Sequence, residues 1–452
     1  MEKMMEKFDY AVIGSGPAAF MFVNGMKDSQ KRIAVIDGGK FGGICPNAGC
    51  EPKIFLEGTV KTVLASRQLL GKGIETPATI NWEDLMKRKK QIFNAYPDGS
   101  IKNFQANGAT SIQETASFID SHTLKVGDQK IWAEKIVIAT GQKPNKLPIE
   151  GSELTISSNE VFNLDTLPKR ITFIGGGFVS MELAVILNAA GAKVDIVEFA
   201  DRPLMPFNPE HVKYVVEEME QQGITFHFNH GISQVEKIGT EYQVTSQQGL
   251  VLKTDLVVDA SGRVPNLDKL NLDKIGIKTD RGGIVVDGNL QTNMAGIYAA
   301  GDVVSKNPNV APKLTSVAQF EGEYLSGYFQ GITEKVIKYP VTATAAFTFP
   351  QIAQVGVNVD EARENPDYKV VDHQHMAEDD FFYTGTNDYN AQLSLVFDKT
   401  NRLVGASEVS QSAADDIDNF VHLIGLGLTR KDWADKYLPV FPALAYKLRY
   451  FA

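Results

Sequence analysis

Along the first three quarters of the chain, short apolar runs of strand length alternate with apolar positions spaced for a helix, and one such arrangement occurs twice. Residues 8–13 are a largely apolar run of strand length, followed by Gly14-Ser15-Gly16-Pro17-Ala18-Ala19 and a helical pattern through Met26. A second strand at 32–36 ends in Asp37. Residues from about 50 to 104 read mostly as helix, and 115–126 and 130–139 read as β-rich, closing on Ala139-Thr140-Gly141-Gln142-Lys143-Pro144. The opening arrangement then recurs: strand 171–174, Gly175-Gly176-Gly177-Phe178-Val179-Ser180, a helix to Ala190, and strand 193–197 ending in Glu198. Beyond Gly262 the chain returns to short strands, reaches Gly301-Asp302 and enters a helix from Leu314 to about Phe329. From Tyr339 the texture changes to alternating β patterns at 345–348, 391–397 and 403–410, with helices near 415–426 and Trp433. The pattern predicts an α/β chain with two dinucleotide-binding, Rossmann-like three-layer domains and a C-terminal α+β domain.

Each repeat carries residues with a physical task. Gly14 permits a tight turn, Gly16 lets a pyrophosphate approach the backbone, and Ala19 allows close helix–strand packing. The helix N-terminus faces the phosphates, and Asp37, about twenty residues on, can accept from ribose hydroxyls. In the second copy Gly175, Gly177, Ser180 and Glu198 stand in the same order. Two such sites imply two bound dinucleotides. A carboxylate at 198 suits a free 2′-hydroxyl and repels a 2′-phosphate, so NADH is expected over NADPH, although Arg202 lies only four residues on.

Length and charge narrow the picture further. A chain of 452 residues exceeds one core and should divide into about three domains. A net charge of −10 argues against nucleic acid and anionic membrane as partners. The first seven residues alternate acids and lysines without the apolar core of a signal peptide. The long apolar stretch 172–194 contains three consecutive glycines, Glu182 and Asn188, and switches period midway, so no membrane span is expected. The expected location is the cytoplasm. The basic run 87–90 reads as a solvated helix face.

The only two cysteines stand five positions apart, in Gly42-Gly43-Ile44-Cys45-Pro46-Asn47-Ala48-Gly49-Cys50-Glu51-Pro52-Lys53. Gly49 is expected to let the backbone turn beside the second sulfur. Glu51, Pro52 and Lys53 read as the opening of a helix, and a thiol at a helix N-terminus ionises more easily. A redox-active pair is preferred here over a structural bridge, which normally belongs to small secreted domains, and over idle thiols.

With these motifs in this order, the whole chain resembles the FAD-dependent pyridine nucleotide–disulfide oxidoreductases, the family of glutathione reductase, dihydrolipoamide dehydrogenase and mercuric reductase. The resemblance implies an FAD-binding domain at 1–150 and 266–335, an NAD(P)H-binding domain at 151–265, and a dimerisation domain at 336–452. It implies that Gly14, Gly16, Ala19, Asp37, Gly43, Lys53, Ala116, Thr140, Gly141, Asp302 and Thr315 serve FAD. Gly175, Gly177, Ser180, Glu198 and Gly262 would serve the nicotinamide nucleotide. Cys50 would be the charge-transfer sulfur against the flavin and Cys45 the interchange sulfur that attacks substrate. Lys53 and Glu182 match a lysine–glutamate pair near the flavin N5. No resident metal is expected, and a homodimer is.

The chain departs from the family at its end, where a His-Pro-Thr-x-x-Glu segment normally supplies the acid–base histidine. Here the segment is Phe441-Pro442-Ala443-Leu444-Ala445-Tyr446. A general acid–base is worth roughly 100- to 10,000-fold, so a glutathione-type reaction should be slow. Neither His373 nor His375, both expected in a loop, stands where the family would use it. Tyr446 or Tyr437 could donate a proton, and Phe441, Tyr446, Tyr450 and Phe451 make an apolar surround suited to a flat hydrophobic acceptor. The leading expectation is electron flow from NADH through FAD to the Cys45–Cys50 disulfide and on to an unidentified small-molecule acceptor. The alternatives are a quinone, dye or metal reductase in which the flavin reduces the acceptor directly, and a non-catalytic flavoprotein redox sensor.

Overall fold

The computed structural model describes residues 5–379, 381–442 and 446. They divide into two compact units, one from residues 1–53, 87–145 and 263–339, the other from 54–86, 146–262 and 340–452.

The first unit is built on a seven-stranded sheet. Strands Ala109–Ile112, Ile33–Ile36, Glu6–Ile13 and Gln129–Ile138 run parallel in that order, and Ile297–Ala299 pairs in parallel with the last. Thr123–Val126 and Ala116–Phe118 extend the sheet antiparallel. Ile33–Ile36 and the C-terminal ends of Glu6–Ile13 and Gln129–Ile138 read as apolar runs because both faces are covered there. Ala11, Ile13, Ala34, Ile36, Ile136 and Ile138 join one buried cluster, while Tyr10, Val12, Ile33, Val35 and Val137 join another that includes helices Pro17–Met26 and Thr315–Phe329.

The second unit holds a parallel sheet in the order Thr225–His227, Lys193–Val197, Arg170–Ile174, Leu256–Asp259, Ile156–Ser157. An antiparallel meander of Ile232–Ile238, Glu241–Ser246 and Val251–Thr254 accompanies it. Its C-terminal part is a five-stranded antiparallel sheet, ordered Ala343–Ala346, Gln351–Gly356, Leu403–Ser410, Gln392–Asp398, Tyr368–His373. Leu393, Leu395, Phe397 and Ala406 of that sheet pack with Ile417 and Phe420 of helix Ala413–Gly425 and with Trp433.

Several expectations change. Strands Gln351–Gly356 and Tyr368–His373 carry no clean alternation, the first because its buried positions include Gln351, the second because it is a half-exposed sheet edge. His373 therefore ends a strand, opposite Leu393, and is not in a loop. In the run 87–90, Lys87 and Arg88 are exposed, but Lys89 is buried, so this helix face is only partly solvated. The stretch 172–194 is a strand followed by helix Phe178–Ala189, and among the described residues no helix is long and apolar enough to cross a membrane.

Candidate active site

Cys45 lies in a short helix, Ile44–Ala48, which the sequence pattern did not announce, and Cys50 is the first residue of helix Cys50–Gln68. Gly49 between them has φ −142°, so left-handed freedom is not its purpose. It supplies room: a Cβ there would stand 3.0 Å from the Ile44 carbonyl oxygen and 3.3 Å from the Cys45 Cα. The left-handed positions are Gly42 and Gly43. Asn47 ties the loop by donating to the carbonyls of Phe41 and Gly43 at 2.9 and 2.8 Å.

Both cysteines are free thiols, and the Cys50 sulfur lies 3.4 Å from the Thr315 hydroxyl oxygen. The two sulfurs differ in proton affinity. A hydrogen bond from Cys45 pulls the Cys50 thiol down to about 6 against the effect of burial, aided by Thr315 and by the charge of Lys53. Cys45 moves the other way, pushed up because it is the donor to Cys50 and because it is buried. At neutral pH the pair is one thiolate and one thiol. Tyr96, an exposed residue opening helix Tyr96–Ala106, has its phenol pushed up, first by partial desolvation and then by the charge of Glu51. Sequence reading missed this tyrosine, because nothing in a lone Tyr-Pro links it to the cysteine-bearing stretch.

Around this pair the first unit forms a cradle. Gly14 has φ +108°, and a Cβ there would sit 2.2 Å from the Ala139 carbonyl oxygen. Gly43 and Gly16 meet back to back, a Cβ on Gly43 falling 2.7 Å from the Gly16 Cα. Helix Pro17–Met26 starts at Gly16 without a side-chain cap, so its first N–H groups are available to an anion. Ala19 is wholly buried in the helix–sheet contact. Asp37 accepts from the Ser15 N–H at 2.9 Å, the Ser15 hydroxyl at 2.6 Å and the Gly39 N–H at 2.8 Å. The Asp302 Oδ1 is buried and has no hydrogen-bond partner among the described residues. Burial pushes that carboxyl up, against the opposing pull of Lys306, Lys313 and Arg263. The Thr140 hydroxyl donates to the Asn266 carbonyl at 2.8 Å, and the Asn266 N–H donates to Gly141 at 2.9 Å. Ala116 is buried opposite Val126. A cradle that a Cβ would fill, an open helix N-terminus and a buried carboxylate oxygen without a donor fit an FAD.

The second copy lies in the other unit. Helix Phe178–Ala189 begins at Gly177 without a side-chain cap, and a Cβ on Gly177 would meet nothing within 4 Å. Ser180 is wholly buried beneath it, and Gly262 also borders open space. Glu198 accepts from the N–H groups of Gly176 and Ala200. Arg202 turns its guanidinium onto main-chain carbonyls, donating to Pro203, Leu204 and Phe207 from Nη1 at 3.2–3.4 Å and to Met205 from Nη2 at 2.9 Å. Glu182 is buried and accepts the Phe347 N–H at 2.9 Å. Lys53 belongs to the first unit and Glu182 to the second. Near the chain end, Phe441 and Tyr446 meet edge to face, centroids 5.2 Å apart. Ala443, Leu444, Ala445, Tyr450 and Phe451 lie outside the described residues.

Comparison with known proteins agrees with this geometry. The family described as pyridine nucleotide-disulphide oxidoreductase matches residues 8–322, and its dimerisation domain matches 342–449. The chain is 27% identical to a glutathione reductase of Nostoc sp., over 97% of this chain and 98% of that one. It is 29% identical to a mercuric reductase of Staphylococcus aureus, over 96% of this chain and 80% of that one. Among solved structures it resembles the HOCl-induced flavoprotein disulfide reductase RclA of Escherichia coli, with TM-score 0.86 and 25% identity over 97% and 98% of the two chains.

Proposed function

The chain belongs to the pyridine nucleotide–disulphide oxidoreductases, an enzyme family that uses FAD and a redox disulfide, and on that premise we propose that it carries electrons from NADH by way of FAD to the Cys45–Cys50 pair and on to a small-molecule acceptor. When bound, FAD supplies the relay between a hydride donor and the sulfur pair. Gly14, Gly16, Ala19, Asp37, Gly43, Ala116, Thr140, Gly141, Asp302 and Thr315 would hold it. Gly175, Gly177, Ser180, Glu198 and Gly262 would hold the nicotinamide nucleotide. Lys53, whose charge reaches Cys50, would favour negative charge at the reacting end.

The observation that carries this reading is the unequal pair itself. Cys50 opens a helix and its sulfur lies 3.4 Å from the Thr315 hydroxyl, and Cys45, Thr315 and Lys53 draw its thiol down while the bond to Cys50 and burial push Cys45 up. Such a pair reduces a disulfide acceptor in two displacements. The Cys45 sulfur attacks and forms a mixed disulfide, its proton passing to the first leaving thiolate. The Cys50 thiolate then attacks the Cys45 sulfur, closing the Cys45–Cys50 bond and expelling the second thiolate. The cofactor preference rests on Glu198 and Arg202. Glu198 presents a carboxylate at the ribose end, and Arg202, the nearest cation in sequence, spends its donors on four carbonyls of its own loop. A 2′-phosphate would meet the acid without the arginine. We read the assembly as a homodimer, on the strength of the matched dimerisation domain. The test is anaerobic titration with NADH. The reading expects a long-wavelength thiolate–flavin band, absent in Cys50→Ser; identical spectra in wild type and variant would remove the cysteines from the path.

A second reading has a metal ion as the acceptor. Its support is the thiolate–thiol pair, the presence of Phe441 in sequence where the family has its histidine, and the likeness to a mercuric reductase. A thiophilic ion needs no proton delivered to a leaving thiol. Turnover of Hg(II) or Cu(II) with NADH, lost in Cys45→Ser, would support it. Turnover retained in that variant would favour direct reduction by the flavin.

A further inference from the structure

Glu321 is a charged side chain in the middle of helix Thr315–Phe329 with 0% exposure. A carboxylate left there without partners would be strongly destabilising, and three donors meet it. Its Oε2 accepts the Gly301 N–H at 2.6 Å. Its Oε1 accepts from the Lys306 ammonium at 2.8 Å and from the Tyr339 hydroxyl at 2.7 Å. Lys306 is itself almost fully buried, its side chain 4% exposed. This is an internal ion pair within the first unit, and its carboxylate reaches one main-chain N–H in particular.

That N–H belongs to the residue before Asp302. Gly301 has φ +79° and opens the one-turn helix Gly301–Val303, its carbonyl accepting the Val304 N–H at 3.1 Å. The helix carrying Glu321 is set against its neighbour by Gly322, where a Cβ would stand 2.1 Å from the Ala18 carbonyl oxygen. Gly322 thus lets the helix carrying Glu321 lie close against the Ala18 backbone. Lys313 fastens the other side of the turn, donating to the carbonyls of Gly282 and Asp302 at 2.6 and 2.8 Å. The turn so held presents the buried, unpartnered Oδ1 of Asp302.

We propose that Glu321, with Lys306 and Tyr339, is a positioning residue that holds the Gly301–Asp302 turn so that the Asp302 carboxylate is preset for a hydroxyl of the flavin's polyol chain. The proposal rests on the assignment of Asp302 to FAD. Glu321 acts through Gly301 and touches neither cofactor nor substrate. Its charge offsets that of Lys306, which would otherwise draw the Asp302 carboxylate toward itself. Preorganisation of this kind appears in binding: a turn that must first be ordered loses affinity by the cost of ordering it.

The test is the affinity of apoprotein for FAD, read by flavin fluorescence in wild type, Glu321→Gln, Asp302→Asn, the double variant and Tyr339→Phe. Glutamine keeps the shape but cannot accept three donors or offset Lys306. We expect Glu321→Gln to weaken FAD about 10- to 100-fold and Tyr339→Phe about 3- to 10-fold. In the Asp302→Asn background, Glu321→Gln should add less than about 3-fold, because both changes remove one interaction. Full additivity in the double variant would overturn the positioning role, as would unchanged FAD affinity in Glu321→Gln. Unchanged affinity in Asp302→Asn would instead sink the assignment of Asp302 to the flavin. Should Glu321→Gln fail to give folded apoprotein by circular dichroism, Tyr339→Phe and its double variant with Asp302→Asn carry the same test.

Discussion

The Cys50 sulfur and the Thr315 hydroxyl, 265 positions apart in the chain, lie 3.4 Å from each other. The first opens helix Cys50–Gln68 and the second opens helix Thr315–Phe329, so two helix N-termini converge on one sulfur. Both the hydroxyl and the helix end favour the thiolate.

The thiolate should govern the spectrum of the NADH-reduced enzyme. The Cys50 thiol is held down at about 6, so its charged form is present above that pH and lost as pH falls through it. The long-wavelength band should persist at pH 7–8, stand at half its height near pH 6 and vanish below pH 5. In Thr315→Val the midpoint should rise by about one pH unit, roughly the worth of one hydrogen bond to a charged group. A pH titration of the band checks both, and an unmoved midpoint in the variant would show that the hydroxyl does not bond the thiolate.

Nucleotide choice should follow Glu198. Like charges placed together cost several kcal/mol, so kcat/KM for NADH should exceed that for NADPH by about 100-fold or more. Glu198→Ala should shrink that ratio at least about 10-fold, mainly by improving NADPH. Arg202→Ala should leave the ratio in place, since its guanidinium already serves loop carbonyls. Steady-state kinetics with both nucleotides decide this, and a collapse of the ratio in Arg202→Ala would contradict it.

Acceptor turnover should separate the two sulfurs. Cys45→Ser should abolish reduction of disulfides while leaving the first, NADH-dependent reduction step within about 3-fold, because Cys45 acts only after it. Stopped-flow mixing in two stages measures the phases separately. Disulfide turnover surviving without Cys45 would mean that the pair is not the exit.

The second unit contains an acid pair whose pH dependence has the opposite sign. Glu408 is wholly buried and Asp416 nearly so, each bonded to a serine hydroxyl, Ser410 and Ser412, at 2.7 Å. Burial raises both, Asp416 to about 6 against the pull of its hydrogen bonds with Ser412 and Glu408, and the neighbouring Asp416 raises Glu408 further. A carboxyl raised in the folded state binds its proton more tightly there than when unfolded. Stability is therefore full below about pH 4 and falls as pH climbs through 6. Glu408→Gln should flatten that decline and raise Tm at pH 8 by about 2–5 °C. Melting curves from pH 4 to 8 test it; a lower Tm at pH 8 in the variant would show that the charged pair stabilises.

What could be read from the sequence was local and periodic. The glycine turns at 14–19 and 175–180, with a strand before and a helix after each, follow from backbone sterics within a few residues. The acids closing the next strands, Asp37 and Glu198, were equally legible, because a strand and helix of ordinary length fix their distance from the glycines. The five-residue cysteine spacing needed no fold to be noticed. Tertiary structure alone decided which atoms meet. Thr315 reaches Cys50 and Glu321 reaches Gly301 because parallel strands bring distant helices to one edge of a sheet. Lys89 is buried within a run of four basic residues because helix packing selects a face that charge counting does not see. Arg202 curls onto its own loop because four carbonyls there point inward, which no spacing announces. Periodicity reports the faces a chain will bury. Only the packed arrangement of those faces sets which polar atoms lose their water and must find a partner.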